Sequence, residues 1–142
     1  MCAMHRTKHK IITTTIPVRF ADIDAMGHVN NAIYLTYFEE GRKAFLREVL
    51  SIRDPSDYPF ILARISCVYV KPIRLSDPVS VKTWVSETGK KSFKFKYELC
   101  SPDDAANLYG SGESVMVMYD YLKKETVAMP AEILRLINDY CE

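Results

Sequence analysis

The chain has 142 residues, of which 48% are hydrophobic and 26% charged, and its formal net charge is +1 at pH 7. This balance is typical of a single globular domain and argues against a dedicated nucleic-acid binder, which would normally carry a strong positive charge. The four cysteines, Cys2, Cys67, Cys100 and Cys141, form no C-x-x-C pair and no zinc-ligand spacing. We therefore expect free thiols in a reduced, cytoplasmic protein without a metal. We expect neither a secretory signal nor a membrane span, because no long apolar run follows the short basic stretch Met1–Lys10, which is expected to be a flexible terminus.

The first half of the chain predicts a strand, a loop and a long helix. Ile11–Phe20 alternates and is rich in β-branched residues, which predicts a strand. The polar segment Ala21–Asn30 is predicted to be a loop. From about Asn31 the apolar residues recur at spacings of three and four, which predicts a helix of about 20 residues, about 30 Å long, with Asn30 and Asn31 as suitable caps. Gly41 is unfavourable in mid-helix, so its backbone is predicted to lie close against another element.

The second half predicts four strands and a short helix. After a linker over Ser51–Pro59, the strand-like segments are Phe60–Val70, Val79–Glu87, Ser92–Cys100 and Tyr109–Tyr119. Short turns join them, so we expect antiparallel pairing. Pro130 opens a predicted helix over Ala131–Tyr140. The order predicts one α+β domain over residues 1–142, in which a five-stranded antiparallel sheet covers one long helix, although the pattern alone leaves other α+β arrangements open.

The segment between the first strand and the long helix is the richest in polar side chains. Residues 18–34 include two aspartates, a glycine, a histidine and two asparagines. The unpaired N–H groups at a helix start, together with the helix dipole, favour negative charge. Hydrolysis of a thioester needs a base or nucleophile and donors for the oxyanion, and a carboxylate beside a helix start supplies both. On spacing alone, the simpler interpretation of Asp22 and Asp24 is that they are loop and capping residues.

The pattern D-x-D-x-x-G-H-V-N-N-x-x-Y over Asp22–Tyr34 resembles the signature of the 4-hydroxybenzoyl-CoA thioesterase family. The likeness continues through Tyr34–Arg42 on the helix and Val68–Asp77 in the strands, and it covers about Ile16–Tyr119. It implies a hotdog fold, in which the sheet wraps around the central helix. It also implies an enzyme that hydrolyses an acyl-CoA thioester to a free acid and coenzyme A, with no cofactor.

The resemblance implies a role for each matching residue of the loop. Asp24 matches the catalytic carboxylate, which acts as nucleophile or as general base on water. Asn31 matches the residue whose backbone N–H polarises the thioester carbonyl, and Gly27 matches a position where substrate approaches the backbone. His28 is a candidate catalytic residue, with a hydrogen-bonding position in the loop as the alternative. Asp22 is expected to shape the loop.

Further residues are candidates for binding the substrate. Asn30 is expected to cap the helix or to orient water and substrate. Tyr34, Tyr37 and Phe38 are expected to form core and the wall of an acyl pocket. Lys71 is one of the basic residues that could meet the phosphates of coenzyme A, although a solvated lysine is the simpler interpretation.

The resemblance also implies a homodimer with sheets joined edge to edge and each site at the interface, and such dimers can stack into a homotetramer. Two other functions stay open. A hotdog hydratase or dehydratase is disfavoured because three residues separate Asp24 from His28, rather than four. A non-catalytic acyl-CoA-binding module would share the fold and need no carboxylate. The sequence does not decide the acyl group, the carrier (coenzyme A or acyl carrier protein), or the choice between a nucleophile and a general base.

Overall fold

The computed structural model describes residues 8–142, so the predicted flexible terminus Met1–Lys10 lies mainly outside the described residues, as does Cys2. The strands and helices in chain order are β1 (Ile12–Ile16), α1 (Asn31–Val49), β2 (Phe60–Tyr69), β3 (Val79–Thr88), β4 (Ser92–Cys100), β5 (Leu108–Asp120), β6 (Glu125–Thr126) and α2 (Ala131–Ile137). Short 3₁₀ turns occupy Phe20–Asp22, Pro55–Asp57 and Asn138–Tyr140. Over this described range, no helix has both the length and the apolar character that a membrane crossing requires.

The strands form one curved antiparallel sheet in the order β1-β3-β4-β5-β2. The two-residue strand β6 pairs with the end of β5. Within residues 8–142, β1 and β2 each pair on one side only and form the two edges. The register shifts between Leu62 and Arg64 on β2, between Val85 and Glu87 on β3, and between Leu99 and Cys100 on β4. Such irregularities bend strands and increase twist, which suits a sheet that wraps a helix.

Helix α1 packs its apolar face against the inner face of the sheet. Its buried residues recur at helical spacing and are Tyr34, Tyr37, Phe38, Gly41, Arg42, Ala44, Phe45 and Leu46. The Asn30 side chain caps the helix by accepting the Ala32 N–H at 2.9 Å. Phe38 is fully buried and stacks on Tyr97, with ring centroids 4.8 Å apart. Since each buried side chain of this size stabilises the fold by about 1.5–3 kcal/mol, the apolar face fixes α1 on the sheet.

The α+β class and the order of the predicted elements are confirmed, but the first strand is predicted too long. It ends at Ile16 because Pro17 has no N–H to donate to a ladder, and the chain then turns through Phe20–Asp22. Phe20, the last residue of the predicted strand, lies in this turn and is 83% exposed. The terminal helix is also shorter than predicted, because the α-helix ends at Ile137 and continues as a 3₁₀ turn.

Gly41 lies where α1 crosses β3. A Cβ at this position would overlap the Thr83 hydroxyl and would lie 3.2 Å from both methyl groups of Val81. The predicted close approach is therefore confirmed, and lack of space is the reason that glycine occupies the middle of this helix.

We expect Gly41→Ala to lower the free energy of unfolding by about 1–2 kcal/mol, because overpacking outweighs the gain in helix propensity. Denaturant unfolding would measure the loss. Thr83→Ala removes the hydroxyl that the new Cβ meets. The double variant Gly41→Ala/Thr83→Ala should therefore recover part of the lost stability. The matched control is Gly89→Ala in the β3–β4 turn, where the nearest atom to a new Cβ is Ser92 Oγ at 3.3 Å. Wild-type stability in Gly41→Ala would contradict this account of the contact.

Candidate active site

The loop that precedes α1 is anchored by the carboxylate of Asp22, which is 1% exposed. Its Oδ1 accepts hydrogen bonds from Arg19 Nε at 3.1 Å and Nη2 at 2.8 Å. Its Oδ2 accepts from the Arg19 backbone N–H at 3.0 Å and from the Tyr37 hydroxyl at 2.7 Å. Burial raises the pKa of Asp22, but the hydrogen bonds from Arg19 and Tyr37 outweigh it and leave the pKa below its ordinary value. Both oxygens are thus engaged inside the fold, as a loop-shaping role requires.

Asp24 lies in a tight turn two residues further on. Its N–H donates to the His28 carbonyl at 2.8 Å, and the Gly27 N–H donates to the Asp24 carbonyl at 3.0 Å. Gly27 has a φ of +81°, and a Cβ there would meet no atom within 4 Å. The backbone conformation, rather than close packing, therefore requires glycine. Oδ1 of Asp24 accepts the Met26 N–H at 2.9 Å, whereas Oδ2 accepts no hydrogen bond from residues 8–142.

Asp24 lines a cleft of about 260 Å³ between this turn, the start of α1 and the end of β2, here called the Asp24 cleft. Four of the predicted site residues lie on its wall: Asp24, His28, Asn31 and Tyr34. Asn31 is the first residue of α1, and no group of the described chain accepts its backbone N–H. The positive end of the helix and a half-buried carboxylate therefore meet at one opening.

Two tyrosines tie the end of β2 to the helix start across this cleft. The Tyr69 hydroxyl donates to the Asn31 carbonyl at 2.8 Å, and the Tyr34 hydroxyl donates to the Lys71 carbonyl at 2.8 Å. Burial raises the pKa of Tyr34 to about 12, so its hydroxyl stays a donor at neutral pH. Tyr69 is not among the predicted site residues. The signal that could have found it is the resemblance of Val68–Asp77 to the same family.

The structure does not bring every predicted site residue into the Asp24 cleft. Asn30 uses its side chain to cap the helix, so the capping alternative describes what it does in the fold. Tyr37 points to the other side of α1, where it bonds to Asp22. Phe38 is fully buried under the sheet, and Gly27 stays in the exposed turn outside the cleft wall. Contact between these four residues and a substrate stays a prediction.

Within the part of the chain that the structure describes, no group of three or more His, Cys, Asp or Glu side chains is arranged to hold a metal ion. Cys67, Cys100 and Cys141 are free thiols. The chemical groups on the wall of the Asp24 cleft include one carboxylate, one imidazole, the phenols of Tyr34 and Tyr69, the ammonium group of Lys71 and peptide groups.

Comparison with solved structures places the fold in the hotdog class of thioesterases. The protein superimposes on a predicted thioesterase of Bacillus stearothermophilus with a TM-score of 0.85 at 21% identity, covering 94% of this chain and 98% of that one. It is also similar to a thioesterase of Thermus thermophilus solved in complex with coenzyme A and Zn. That match has a TM-score of 0.78 at 26% identity and covers 92% of this chain and 98% of that one.

Sequence comparison gives the family. The chain belongs to the thioesterase-like superfamily, whose model matches residues 18–137. It is 26% identical over 123 residues to the acyl-CoA thioester hydrolase YbgC of Escherichia coli O6:H1, a match that covers 83% of this chain and 90% of that protein. The predicted hotdog fold and the resemblance to thioesterases are confirmed. The narrower likeness to 4-hydroxybenzoyl-CoA thioesterases stays a prediction.

We expect Asp22→Asn to lower the free energy of unfolding at pH 7 by about 1–3 kcal/mol, because it removes the charged acceptor of several hydrogen bonds. A carboxylate with a lowered folded-state pKa stabilises the protein above its unfolded pKa of about 3.9 and loses this effect as pH falls through the folded value. The difference between variant and wild type should therefore shrink below about pH 4. Urea unfolding from pH 7 to pH 3 measures it, with exposed Asp57→Asn as control. If the difference in free energy of unfolding between variant and wild type stayed constant with pH, the charge of Asp22 would be excluded as its cause.

Proposed function

We propose that this protein hydrolyses acyl-CoA thioesters to a carboxylic acid and coenzyme A, with Asp24 as nucleophile or general base. The observation that carries the proposal is that Asp24, whose Oδ2 accepts no hydrogen bond within residues 8–142, and Asn31, whose N–H has no acceptor there, line the same cleft. Membership of the thioesterase-like superfamily supports it. So do the name of the Escherichia coli relative and the coenzyme A in the Thermus thermophilus complex.

The proposed reaction uses the two ends of the Asp24 cleft for different tasks. The thioester carbonyl oxygen accepts the Asn31 N–H, and the helix dipole stabilises the negative charge that develops on that oxygen. The Asp24 carboxylate either attacks the carbonyl carbon or takes a proton from an attacking water. The C–S bond then breaks and coenzyme A leaves as its thiolate, which is protonated in solution. In the covalent route, water hydrolyses the acyl-Asp24 anhydride in a second step.

Two other residues of the cleft support this assignment. His28 is half-buried on the wall of the cleft, and in this proposal its imidazole hydrogen-bonds the substrate or the attacking water. Lys71 lies at the exposed rim, with its Nζ 5.5 Å from the ring centroid of Tyr109. A lysine there offers a cation to the phosphates of coenzyme A.

We also propose that the working form is a homodimer joined through the β2 edge. A cleft of about 260 Å³ is smaller than most small-molecule sites, which span about 300–1,000 Å³, so one subunit holds only the reacting end of an acyl-CoA. Exposed edge strands are normally covered, and β2 exposes 43% of Leu62, 62% of Val68 and 47% of Tyr69. Pairing of two β2 strands would cover this edge and close each cleft with the second subunit. We further propose that the protein is located in the cytoplasm.

We expect Asp24→Asn to reduce kcat for acyl-CoA hydrolysis by about 10²–10⁴-fold while the Kd for a non-hydrolysable acyl-CoA analogue stays within about threefold. The amide keeps the shape of the side chain but is neither a base nor a nucleophile. Free thiol release and calorimetric binding measure the two effects.

Asp104→Asn is the matched control, because Asp104 makes the same kind of turn, with its Oδ1 accepting the Ala106 N–H at 3.0 Å, far along the chain from the cleft. This variant should keep wild-type turnover. If Asp24→Asn also turned over normally, the assignment of Asp24 would be lost. Wild-type protein that binds acyl-CoA and releases no thiol would instead indicate a binding module.

We expect Val68→Lys to shift the protein from dimer towards monomer, because a lysine on an edge strand disfavours pairing with another strand. Light scattering after size exclusion would show a mass near the 16.3 kDa of one chain rather than twice that value. Thr13→Lys, on the opposite edge strand β1, is the control and should stay dimeric. Wild-type protein that runs as a monomer, or a dimer broken only by Thr13→Lys, would refute the β2 interface.

A further inference from the structure

A second cavity, of about 340 Å³, lies between the middle of α1 and the start of β2, and it shares no wall residue with the Asp24 cleft. We call it the Arg42 cavity. Its apolar walls include Leu46, Phe60 and Met116, which are almost fully buried, and Leu62 at the rim. The volume falls in the range of about 300–1,000 Å³ that small-molecule sites occupy. The cavity can therefore hold an apolar group of a small ligand.

Arg42 places a buried positive charge in this cavity, because the residue is only 9% exposed. Its Nη1 donates to the Tyr97 hydroxyl at 3.4 Å, a long bond to a neutral acceptor. The nearest carboxylate within residues 8–142 is that of Glu39, which lies 4.0 Å from Nη2 and is itself 61% exposed. A guanidinium has five N–H donors, so this one keeps donors that no close anion uses.

The long contact with the exposed Glu39 is the one ion pair that Arg42 makes within residues 8–142. Lys43 also lines the cavity, but its Nζ is bonded at 2.9 Å to Glu40, which is not a wall residue. The cavity wall thus carries two cations and one carboxylate. The Tyr97 hydroxyl is paired with the Ser114 hydroxyl as well, so it has a hydrogen-bond partner without Arg42. The need to pair the Tyr97 hydroxyl therefore does not by itself explain why an arginine occupies this buried position.

We propose that the Arg42 cavity binds the carboxylate of an organic acid with an apolar tail. A guanidinium and a carboxylate form paired, charge-assisted hydrogen bonds, which are strongest where water is excluded. The carboxylate takes the free donors of Arg42, and the tail lies against Leu46, Phe60 and Met116. Acids of this class are also the products of the proposed hydrolysis, but the site rests on the cavity and its charge and does not depend on that activity.

Octanoate and its neutral analogue octanamide test this site in the full-length protein. We expect octanoate to bind at least about tenfold more tightly by calorimetry, and to shift the methyl NMR signals of Leu46 and Met116. Arg42→Met removes the charge and keeps much of the volume, so it should lower octanoate affinity to that of octanamide. Equal binding of the two compounds, or undiminished octanoate binding by Arg42→Met, would overturn the proposal.

A second pair of variants avoids the buried position. Lys43→Glu reverses a charge at the exposed side of the cavity and should weaken octanoate binding at least about fivefold with little effect on octanamide. Lys94→Glu makes the same change on the outer face of β4 and should leave both affinities unchanged. Equal losses in the two variants would mean that only net charge matters, and would refute the site.

The same preparations are assayed for thiol release from acyl-CoA. Hydrolysis without selective octanoate binding would refute the proposed carboxylate site in the Arg42 cavity and would leave the proposed function supported. Selective octanoate binding without hydrolysis would support the carboxylate site and refute the proposed function.

Discussion

The buried carboxylate of Asp22 fixes the junction between the first strand and the central helix. Its side chain accepts hydrogen bonds from Arg19 and Tyr37, while its backbone carbonyl accepts the Asn30 N–H at 2.8 Å. One residue therefore sets both the path of the loop and the position at which α1 begins. Because the Asn31 N–H follows directly after this anchor, the geometry of the Asp24 cleft depends on it. A loop without this anchor would leave the helix start free to move relative to the acid.

Asp22 and Asp24, which are separated by one residue, have different roles because their surroundings differ. Asp22 is buried and has both oxygens bonded inside the fold, whereas Asp24 is half-buried and bonds through Oδ1 only. Environment, rather than residue type, thus separates the structural acid from the candidate reactive one. The same principle distinguishes the arginines, since Arg19 has a close carboxylate partner at 2.8 Å and Arg42 does not.

Features that depend on local sequence were predictable, and features that depend on distant contacts were not. The limits of α1 and of the later strands follow from periodicity and turn residues, and the close approach at Gly41 follows from the helix propensity of glycine. Asp24, His28, Asn31 and Tyr34 share a cleft because they are near one another along the chain. Tyr69 reaches Asn31 across 38 residues, and Arg42 reaches Tyr97 across 55, so no local pattern indicates either contact. Strand β1 ends before the alternating pattern does, because Pro17 cannot donate a hydrogen bond to the neighbouring strand.

The register shift between Leu62 and Arg64 has a consequence for which residues face inward. Alternate side chains of a strand point to opposite faces, so an odd-numbered and an even-numbered residue should not share a face. The one additional residue at this point reverses that parity, and Phe60, Leu62 and Tyr69 all lie on the inner face. A single strand thereby serves the Arg42 cavity at its start and the Asp24 cleft at its end. In an uninterrupted ladder the ring of Tyr69 would point outward, and the helix start would lose its bond to β2.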